Sequence, residues 1–549
     1  DGFSSARAFV ESVDDGTRSV WVTPFDDPPG GWKLPYPEPV QATEPSDLPG
    51  LSPAGGGYLR RFDPVGTPCF YWGRLDHEWD LSCQAFGFRL VPGICDAPGD
   101  LSLDGRNWTR PKDYVQFHEV VRAIVRHLVE RYGDVTTTWT WSILNEPDLS
   151  FLFWRTGDWV DLQRFYDYAS DAVLRTFEDC GYDSSKIHIG GLELAGVSGL
   201  DLRIDAFLSH CSPRPASGPD ILAGNAAFGD PRLDGKRSAR VERLCSAHQG
   251  RGAPLDFVSV HTYNGAEMAA AKLVHAKERA LAIDPESFRD LSIHNFESVP
   301  TWVEIPDPGA AEAYLDNGYF ASWIADVVRR RLQQAAGDSR FAFGESLLTV
   351  WGWTNKGFES RNDVVREIRV ADRSGQGERS ILVPMQAFHT VNLLSDMGDS
   401  FHVLPVTEVS GHVVSGFAST PGDGGEIRVL LYVHDTADTQ SRSEDLLRVD
   451  LRIPAGEAGR HRVTRYAMDR RHNSHHDLAL RFGERSGRDP SAAFDEDELE
   501  GLEERTALRG ETTDAIPEAD GPGAGLVLSL TVRLPVNGVC CLHIRPVRQ

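Results

Sequence analysis

The chain has 549 residues and a formal net charge of −25, because 81 acidic residues outnumber 56 basic ones. This charge argues against nucleic acid and anionic membranes as partners, and it fits an uncharged substrate. The length predicts two or three domains, and no apolar run reaches the roughly 18 residues that a transmembrane helix needs.

The cysteines and the start of the chain bear on metal sites and compartment. The eight cysteines show neither a CxxC pair nor the cysteine and histidine spacing of a zinc site, so no metal site is predicted. Cys540 and Cys541 are adjacent and difficult to bridge. Buried free thiols are therefore expected, and they favour the cytoplasm over secretion. The chain begins at Asp1 without a basic and then apolar segment, so no signal peptide is visible in this sequence.

Residues 1–50 are rich in proline, glycine and aspartate, with one strand candidate at 19–25. From Gly57 onward, strands alternate with amphipathic helices. The best defined helix starts at Pro111, has apolar residues three and four apart and stops at Gly133. The predicted elements are strands at 58–62, 88–94, 139–144, 187–191, 256–261, 299–304 and 340–345, and helices at 75–86, 111–133, 160–180 and 310–336.

Repeated strand–helix units are typical of a parallel sheet. The seven strands, with 19–25 as an eighth, favour an α/β fold in which a (β/α)8 TIM barrel spans residues 51–375. The proline-rich residues 26–50 offer no first crossover helix. Residues 1–50 therefore either supply the first barrel strand or pack on the second domain.

The second domain is predicted to be an antiparallel β-sandwich over residues 376–549. In this part of the chain the helical period fades, and turn signals such as 421–425 separate short alternating segments. The predicted strands are 429–433, 447–453, 463–466, 527–534 and 539–544.

The strand at 139–144 stops abruptly at Asn145-Glu146-Pro147, because Pro147 cannot continue a ladder. Asn145 and Glu146 are thus predicted at its carboxyl end, where the chemistry of a parallel barrel is done. An isolated Glu at a strand end is more often a solvated carboxylate or a helix cap. Here an aromatic loop that includes Trp154 follows it, and aromatic faces suit sugar rings. The stretch resembles the acid/base strand of retaining glycosidases of clan A.

A retaining glycosidase needs a proton donor for the leaving oxygen and a second carboxylate, about 5 to 5.5 Å away, that attacks the anomeric carbon. The resemblance to clan A implies a donor after strand four and a nucleophile after strand seven. With 19–25 as the first strand, Glu146 and Glu304 stand at those two ends. Glu345, after the eighth strand, is the alternative nucleophile. Either of the two could instead be a surface or capping carboxylate. This chemistry needs neither a metal nor an organic cofactor.

Other strand ends offer groups that could bind the sugar. His261 and Tyr263 follow the sixth strand and could orient the nucleophile, and Arg61 in the second strand could keep it ionised. Asn145 could hydrogen-bond the hydroxyl beside the anomeric carbon. Each could equally be a packing residue, but together they converge on one rim. The aromatic residues predicted to line the same pocket are Trp154, Trp351 and Trp353.

Longer segments carry a more specific resemblance. Residues 111–133, 145–147 and 256–263 are similar to the third barrel helix, the acid/base motif and the sixth strand of glycoside hydrolase family 39. Residues 387–398 and 462–474 are similar to segments of its xylosidases. The family contains β-xylosidases and α-L-iduronidases. The resemblance implies a retaining, β-xylosidase-like exo-glycosidase that releases a terminal pentose from an oligosaccharide, and it makes a homo-oligomer a reasonable expectation.

Several features depart from that family. Asp63, a predicted binding residue, stands where a His usually follows the strand-two Arg, and the first Gly-rich strand and first helix are not recognisable. Residues 304–309 are more similar to iduronidases, whereas the second domain is more similar to xylosidases. The alternatives are therefore a family-39-type glycosidase of iduronidase-like or arabinosidase-like specificity and, in another class, a carbohydrate-binding protein without catalysis.

Overall fold

A computed structural model describes most of the chain beyond residue 90 and short pieces before it. The described residues are 59–62, 68–70, 76, 90–95, 97, 101–103, 109–149, 153–156, 158–196, 201–263, 265–300, 317–338, 365–371, 378–398, 400–420, 426–439, 441–455, 459–474, 476, 494–495, 507–519 and 526–547. The predicted strands at 19–25 and 340–345, and nearly all of the helix at 75–86, lie outside them.

The predicted strand at 58–62 belongs to a hairpin. β1 (Leu59–Phe62) pairs antiparallel with β2 (Pro68–Phe70). Only residues 63–67 connect the two strands, and so short a connection cannot hold the crossover that parallel strands need. In the part of the chain that the structure describes, this segment is therefore one arm of a hairpin and not the second strand of the parallel sheet.

Five strands form the parallel sheet that positions the site. They are β3 (Gly93–Ile94), β4 (Thr140–Asn145), β5 (His188–Leu194), β6 (Phe257–Val260) and β8 (Ser292–His294), and they lie side by side in that order. Every pairing between neighbours is parallel. All six residues of β4 are buried, as expected for a sheet covered on both faces. The predicted α/β character of this region is confirmed.

The position of the strand beside β6 corrects the predicted strand order. The sequence pattern places strand seven at 299–304, but the strand that pairs with β6 is β8, which lies earlier in the chain. Two short segments, β7 (Thr262–Tyr263) and β9 (Ser298–Val299), continue the same parallel pairing. Val299 is thus near the end of this strand pair and not at its start. Residues 301–304 lie outside the described residues.

Helices alternate with the parallel strands, and the helix predicted at 111–133 shows which residues set its ends. The described helices are α1 (Tyr114–Tyr132), α2 (Trp159–Asp179), α3 (Asp201–Cys211), α4 (Ala226–Gly229), α5 (Ala239–Ala247), α6 (Ala266–Ile283), α7 (Tyr319–Gly337) and α8 (Gln386–Ser395). Asp113 caps α1 by accepting from the backbone N–H of Val115 at 2.8 Å, so α1 begins just after the predicted Pro111. It ends at Gly133, which has a positive φ of 64°, as the sequence predicts.

The two sheets that form the second domain are antiparallel, as predicted. The described strands in this half of the chain are β10 (Val365–Ala371), β11 (Glu378–Pro384), β12 (Ser400–Val403), β13 (Thr407–Val409), β14 (His412–Thr420), β15 (Ile427–Val433), β16 (Leu446–Ala455), β17 (His461–Met468), β18 (Phe494–Asp495), β19 (Gly510–Ala515), β20 (Glu518–Ala519), β21 (Leu526–Pro535) and β22 (Val539–Pro546). One sheet has the order β12-β14-β15-β22-β17-β19 with β13 on β14, and another has the order β16-β21-β20, whereas β10 and β18 make a short parallel pair. Residues of both, such as Leu431 and Val532, share one apolar core, so the two sheets form a sandwich. Cys540 and Cys541 in β22 are buried free thiols.

Helices α7 and α8 pack on the outer face of the larger antiparallel sheet. Trp323 of α7 shares a buried cluster with Phe417 and Met468 of that sheet. The hydroxyl of Tyr432 donates to Asp326 Oδ1 at 2.6 Å, so these two buried polar groups are paired. None of the described helices combines the length and the apolar character needed to cross a bilayer.

Candidate active site

The end of β4 has an unusual backbone. Leu144 and Glu146 have φ angles of 70° and 40°, in a region that costs a residue with a side chain about 1 to 3 kcal/mol. The N–H of Glu146 donates to the carbonyl oxygen of Glu193 in β5 at 2.7 Å, which fixes the turn. Asn145 and Glu146 are both buried, with Glu146 7% exposed. Pro147 then ends the strand, as the sequence predicts.

A buried histidine gathers three carboxylates at this strand end. Nδ1 of His261 lies 2.7 Å from Glu146 Oε1 and 3.0 Å from Glu297 Oε2. Nε2, on the opposite edge of the ring, lies 3.1 Å from Glu193 Oε2. The ring of His261 is fully buried. We name these four residues (Glu146, Glu193, His261 and Glu297) the strand-end cluster.

The charges of the strand-end cluster determine the protonation of His261. Burial alone lowers the pKa of an imidazole, but here Glu297, Glu146 and Glu193 outweigh it and raise the pKa of His261 to about 10. The ring is therefore an imidazolium at neutral pH and donates a hydrogen bond from each nitrogen.

The Glu297 segment is fixed by hydrogen bonds between β7 and β9. The N–H of Thr262 donates to the carbonyl oxygen of Glu297 at 2.9 Å. The amide of Asn295 bridges the same two segments. Its nitrogen donates to the carbonyl oxygens of Glu297 and Val260, and its oxygen accepts from the hydroxyls of Thr262 and Ser298. Glu297 is thereby held against the neighbouring strand end that carries His261.

The loops behind the cluster are also tied together. Asp148 accepts from the N–H groups of Ala195 at 3.1 Å and Gly196 at 3.0 Å, so the loop after β4 is joined to the loop after β5. Burial raises the pKa of Asp148, and these N–H groups oppose the shift. Lys272 of α6 directs Nζ at the carbonyl oxygens of Ala195 and His261, 3.5 and 3.4 Å away. Burial lowers its pKa.

The three groups around Nδ1 of His261 are close together. One oxygen of Glu146, one oxygen of Glu297 and one ring nitrogen all lie within 4.8 Å of one another, a spacing that could surround a cation. The same three atoms also make the contacts of the strand-end cluster, and we interpret the cluster as a proton and hydrogen-bond network.

The structure brings together some of the predicted site residues, and it shows that the prediction for Trp154 is wrong. Glu146 and His261 are hydrogen-bonded, and Asn145 precedes Glu146 at the same strand end. Trp154 was expected to line the pocket, but it is fully buried, donates from Nε1 to the carbonyl oxygen of Asp158 at 2.8 Å and packs on Phe165. Trp154 is therefore a core residue, and its buried indole N–H has a hydrogen-bond partner inside the fold.

The remaining predicted residues are not tested by the described structure. Arg61 and Tyr263 are described only by their backbones, in β1 and β7. The predicted residues that lie outside the described residues are Asp63, Glu304, Glu345, Trp351 and Trp353.

Two residues of the strand-end cluster were missed from the sequence. Glu193 lies in β5, just beyond the predicted strand at 187–191, and its position in a buried parallel strand is the signal that could have identified it. Glu297 follows β8 as part of Ile293-His-Asn-Phe-Glu297. This pattern, a short strand followed by a carboxylate, is the one that identified Glu146, but the longer apolar segment at 299–304 drew the prediction away from it.

The chain was compared with known families and structures. The family profile described as Glycosyl hydrolases family 39 matches residues 103–486, well over half of the chain. A β-xylosidase of Geobacillus stearothermophilus is 31% identical over 109 residues, which is 20% of each chain. One of Caldicellulosiruptor saccharolyticus is 25% identical over 234 residues, 40% of this chain and 36% of the relative. The matched regions thus span only about a fifth and a third of these curated relatives.

A solved structure extends the likeness over nearly the whole fold. The crystal structure of a monomeric β-xylosidase from Caulobacter crescentus CB15 aligns with a TM-score of 0.55 and 15% identity. The alignment covers 89% of this chain and 87% of that one. At this identity the likeness concerns the fold.

Proposed function

Because the chain belongs to glycosyl hydrolases family 39, we propose that it is a retaining glycosidase in which Glu146 is the acid/base and Glu297 the nucleophile. The observation that carries the proposal is the approach of these two carboxylates, which have oxygens within 4.8 Å of each other. Retaining glycosidases hold their carboxyl groups about 5 to 5.5 Å apart, whereas inverting enzymes leave about 6.5 to 9.5 Å for a water molecule. The spacing found here supports direct attack.

The reaction follows in two displacements. Glu297 attacks the anomeric carbon while Glu146 gives its proton to the departing oxygen, so the glycosidic bond breaks as the bond to Glu297 forms. Glu146, now ionised, takes a proton from water, whose oxygen bonds to the anomeric carbon and releases Glu297. His261 directs the N–H of Nδ1 towards both carboxylates and holds them at this strand end.

The choice of Glu297 changes the nucleophile predicted from sequence. Glu304 was selected because it ends the predicted seventh strand, but the strand beside β6 is β8, and Glu297 is the carboxylate that follows it. Glu297 also lies 3.0 Å from the histidine that contacts Glu146. Glu304 and the alternative Glu345 stay predictions, since both lie outside the described residues.

The proposal includes the finer architecture predicted from sequence. We expect the five parallel strands to belong to a closed (β/α)8 barrel within residues 51–375, completed by strands outside the described residues. Residues 376–549 would then form the second domain. Closure would place Glu146 and Glu297, which follow the fourth and seventh strands, at the same barrel face.

For the substrate we propose a terminal, β-linked xylose or a similar pentose. Both curated relatives are β-xylosidases, and an uncharged sugar suits a cluster that already holds three carboxylates. A uronic acid would need cations directed at it. Among the described cations near Glu146, His261 is enclosed by carboxylates and Lys272 faces carbonyl oxygens. The iduronidase-like and arabinosidase-like alternatives are decided by a panel of aryl glycosides that includes xyloside, arabinosides, galactoside, glucoside and iduronide.

A trapping experiment tests mechanism and nucleophile together. A 2-deoxy-2-fluoro β-xyloside with an activated leaving group should form a stable glycosyl-enzyme, and peptide mass spectrometry should find the label on Glu297. A label on Glu304 or Glu345 would transfer the nucleophile role to that residue. The first product formed from an aryl β-xyloside, observed by proton NMR, should be the β-anomer. If no glycoside in the panel is hydrolysed, the proposal fails, and sugar binding without catalysis is then tested by calorimetry with the same glycosides.

A further inference from the structure

Glu193 is a third carboxylate that the two-step reaction does not use. Its side chain is buried, with the residue 1% exposed, in the strand that lies between β4 and β6. It contacts Nε2 of His261, whereas Glu146 and Glu297 contact Nδ1 on the other edge of the ring. Because the imidazole lies between Glu193 and the two catalytic carboxylates, Glu193 acts through His261 and not on the sugar.

We propose that Glu193 is a positioning residue that keeps His261 doubly protonated, so that a cationic N–H always faces Glu146 and Glu297. This inference rests on the roles proposed for those two residues. A neutral imidazole has one N–H, and the carboxylates at Nδ1 would be enough to hold it. The second proton is stabilised only by an acceptor at the opposite edge, and the Glu193 carboxylate is placed there.

The charges around His261 explain why a positively charged ring matters at this position. Among the described residues, the charged groups near it are Glu146 from β4, Glu193 from β5, Glu297 after β8, Asp148 from the loop after Glu146 and Lys272 from α6, whose Nζ lies 3.4 Å from the carbonyl oxygen of His261. If the ring were neutral, the buried carboxylates would lack the cation that they surround. The proposed nucleophile Glu297 would then lose the positive charge beside it.

One substitution can remove the charge of Glu193 and keep the backbone contact beside it. The carbonyl oxygen of Glu193 accepts from the N–H of Glu146, and this backbone bond does not depend on the side chain. Glu193→Gln keeps the side-chain volume and this bond and removes only the charge. Glu426→Gln is the matched control, because it removes a half-buried carboxylate in the sandwich that pairs with Arg545 and Arg428.

The direct test is a ¹⁵N NMR titration of the histidine side chains in the full chain, with the His261 signals assigned from their loss in His261→Asn. In the wild type we expect His261 to remain an imidazolium well above neutral pH. Glu193→Gln should lower its pKa by about 1 to 3 units, and Glu426→Gln should not. A wild-type His261 that titrates near the ordinary histidine pKa, or an unchanged titration in Glu193→Gln, overturns the inference. The wild-type measurement decides the matter even if the variant does not fold.

The kinetic test separates charge control from a merely structural role. For an aryl β-xyloside, Glu193→Gln should match the wild type at acidic pH, where His261 is charged in both enzymes. Its kcat should then fall through an added ionisation between about pH 7 and pH 9, at the pH of the NMR titration. A uniform loss at all pH values overturns the inference.

The two tests also separate this inference from the proposed function. An enzyme that is inactive on every glycoside, or a trapped label on another residue, contradicts the proposed function. The NMR titration needs no substrate and still decides the role of Glu193.

Discussion

In the part of the chain that the structure describes, two groups of buried histidines and carboxylates are built differently. In the helical layer Asp167 of α2 accepts from His210 Nε2 at 2.8 Å and from the N–H of Ala226 at 2.7 Å. One turn later, Asp171 accepts from His118 Nε2 and from the N–H of Ser238, both at 2.8 Å. We name these four side chains (Asp167, His210, Asp171 and His118) the helix-layer pairs. Each has one carboxylate, one imidazole and a main-chain donor.

The strand-end cluster has three carboxylates around a single imidazole. Its charges are unbalanced, and it lies beside a backbone with two positive φ angles. A buried carboxylate that serves only the fold is best matched by donors, as in the helix-layer pairs. An excess of carboxylates costs stability, and such clusters are typical of sites where protons and covalent bonds are exchanged. We propose that this difference in charge balance separates packing from chemistry in residues of the same types.

The largest expected effect is the loss of activity when the charge of Glu297 is removed from the strand-end cluster. Glu297→Gln should lower kcat/KM for an aryl β-xyloside on the order of 10⁶-fold, the size of loss seen when a covalent hydrolase loses its nucleophile. Its melting temperature should stay the same or rise, since one of several like charges is removed. The matched control is Glu304→Gln, for which we expect activity close to that of the wild type. Full activity in Glu297→Gln would show that the strand-end cluster is structural.

The acid/base role predicts a smaller loss that depends on the leaving group. Glu146→Gln should lower kcat by about 10² to 10⁴-fold for a substrate with a poor leaving group, because the departing oxygen is no longer protonated. The first displacement should be nearly unaffected for a dinitrophenyl glycoside, which leaves without a proton. Added azide should restore turnover by replacing the water that Glu146 activates. An equal loss with both leaving groups, without azide rescue, would argue that Glu146 has another role.

The helix-layer pairs should give the opposite result, a loss of stability without a loss of chemistry. Asp167→Asn leaves His210 without its counter-charge and should lower the free energy of unfolding by about 3 to 5 kcal/mol. The fraction that remains folded should keep the wild-type kcat, since Asp167 lies in the helical layer. Urea unfolding, with activity measured on the same samples, compares the two quantities. A drop in kcat at unchanged stability would place Asp167 in the catalytic machinery and remove the distinction between the two regions.

The sequence identified one half of the strand-end cluster and missed the other. Glu146 and His261 follow strands whose length and apolar pattern are evident, and Pro147 marks where the first of them stops. Glu297 follows β8, which has only three residues, too few for a periodic signal. Glu193 can be recognised only when β5 is known to lie between β4 and β6, because its contact with His261 joins residues far apart in the chain.

Other differences between prediction and structure have similar local causes. The helix α1 and the antiparallel sandwich were predicted well, since apolar periods and turn residues mark them. Trp154 was predicted from its aromatic character, but that character does not tell a pocket wall from a core. The segment at 58–62 was identified as a strand, yet its partner in the hairpin depends on how the next few residues turn.

The smallest expected effect concerns a carboxylate that also accepts main-chain N–H groups but is more exposed to solvent. Asp113 accepts main-chain N–H groups at the start of α1, as Asp167 and Asp171 accept them elsewhere, but its side chain is 47% exposed. Asp113→Ala should cost about 0.5 to 2 kcal/mol, the usual value of a helix cap, because water replaces part of the lost bond. Asp113→Asn should retain most of the stability, since its amide oxygen can still accept from Val115. If urea unfolding shows that Asp113→Ala costs as much as Asp167→Asn, burial is not what makes the helix-layer pairs strong.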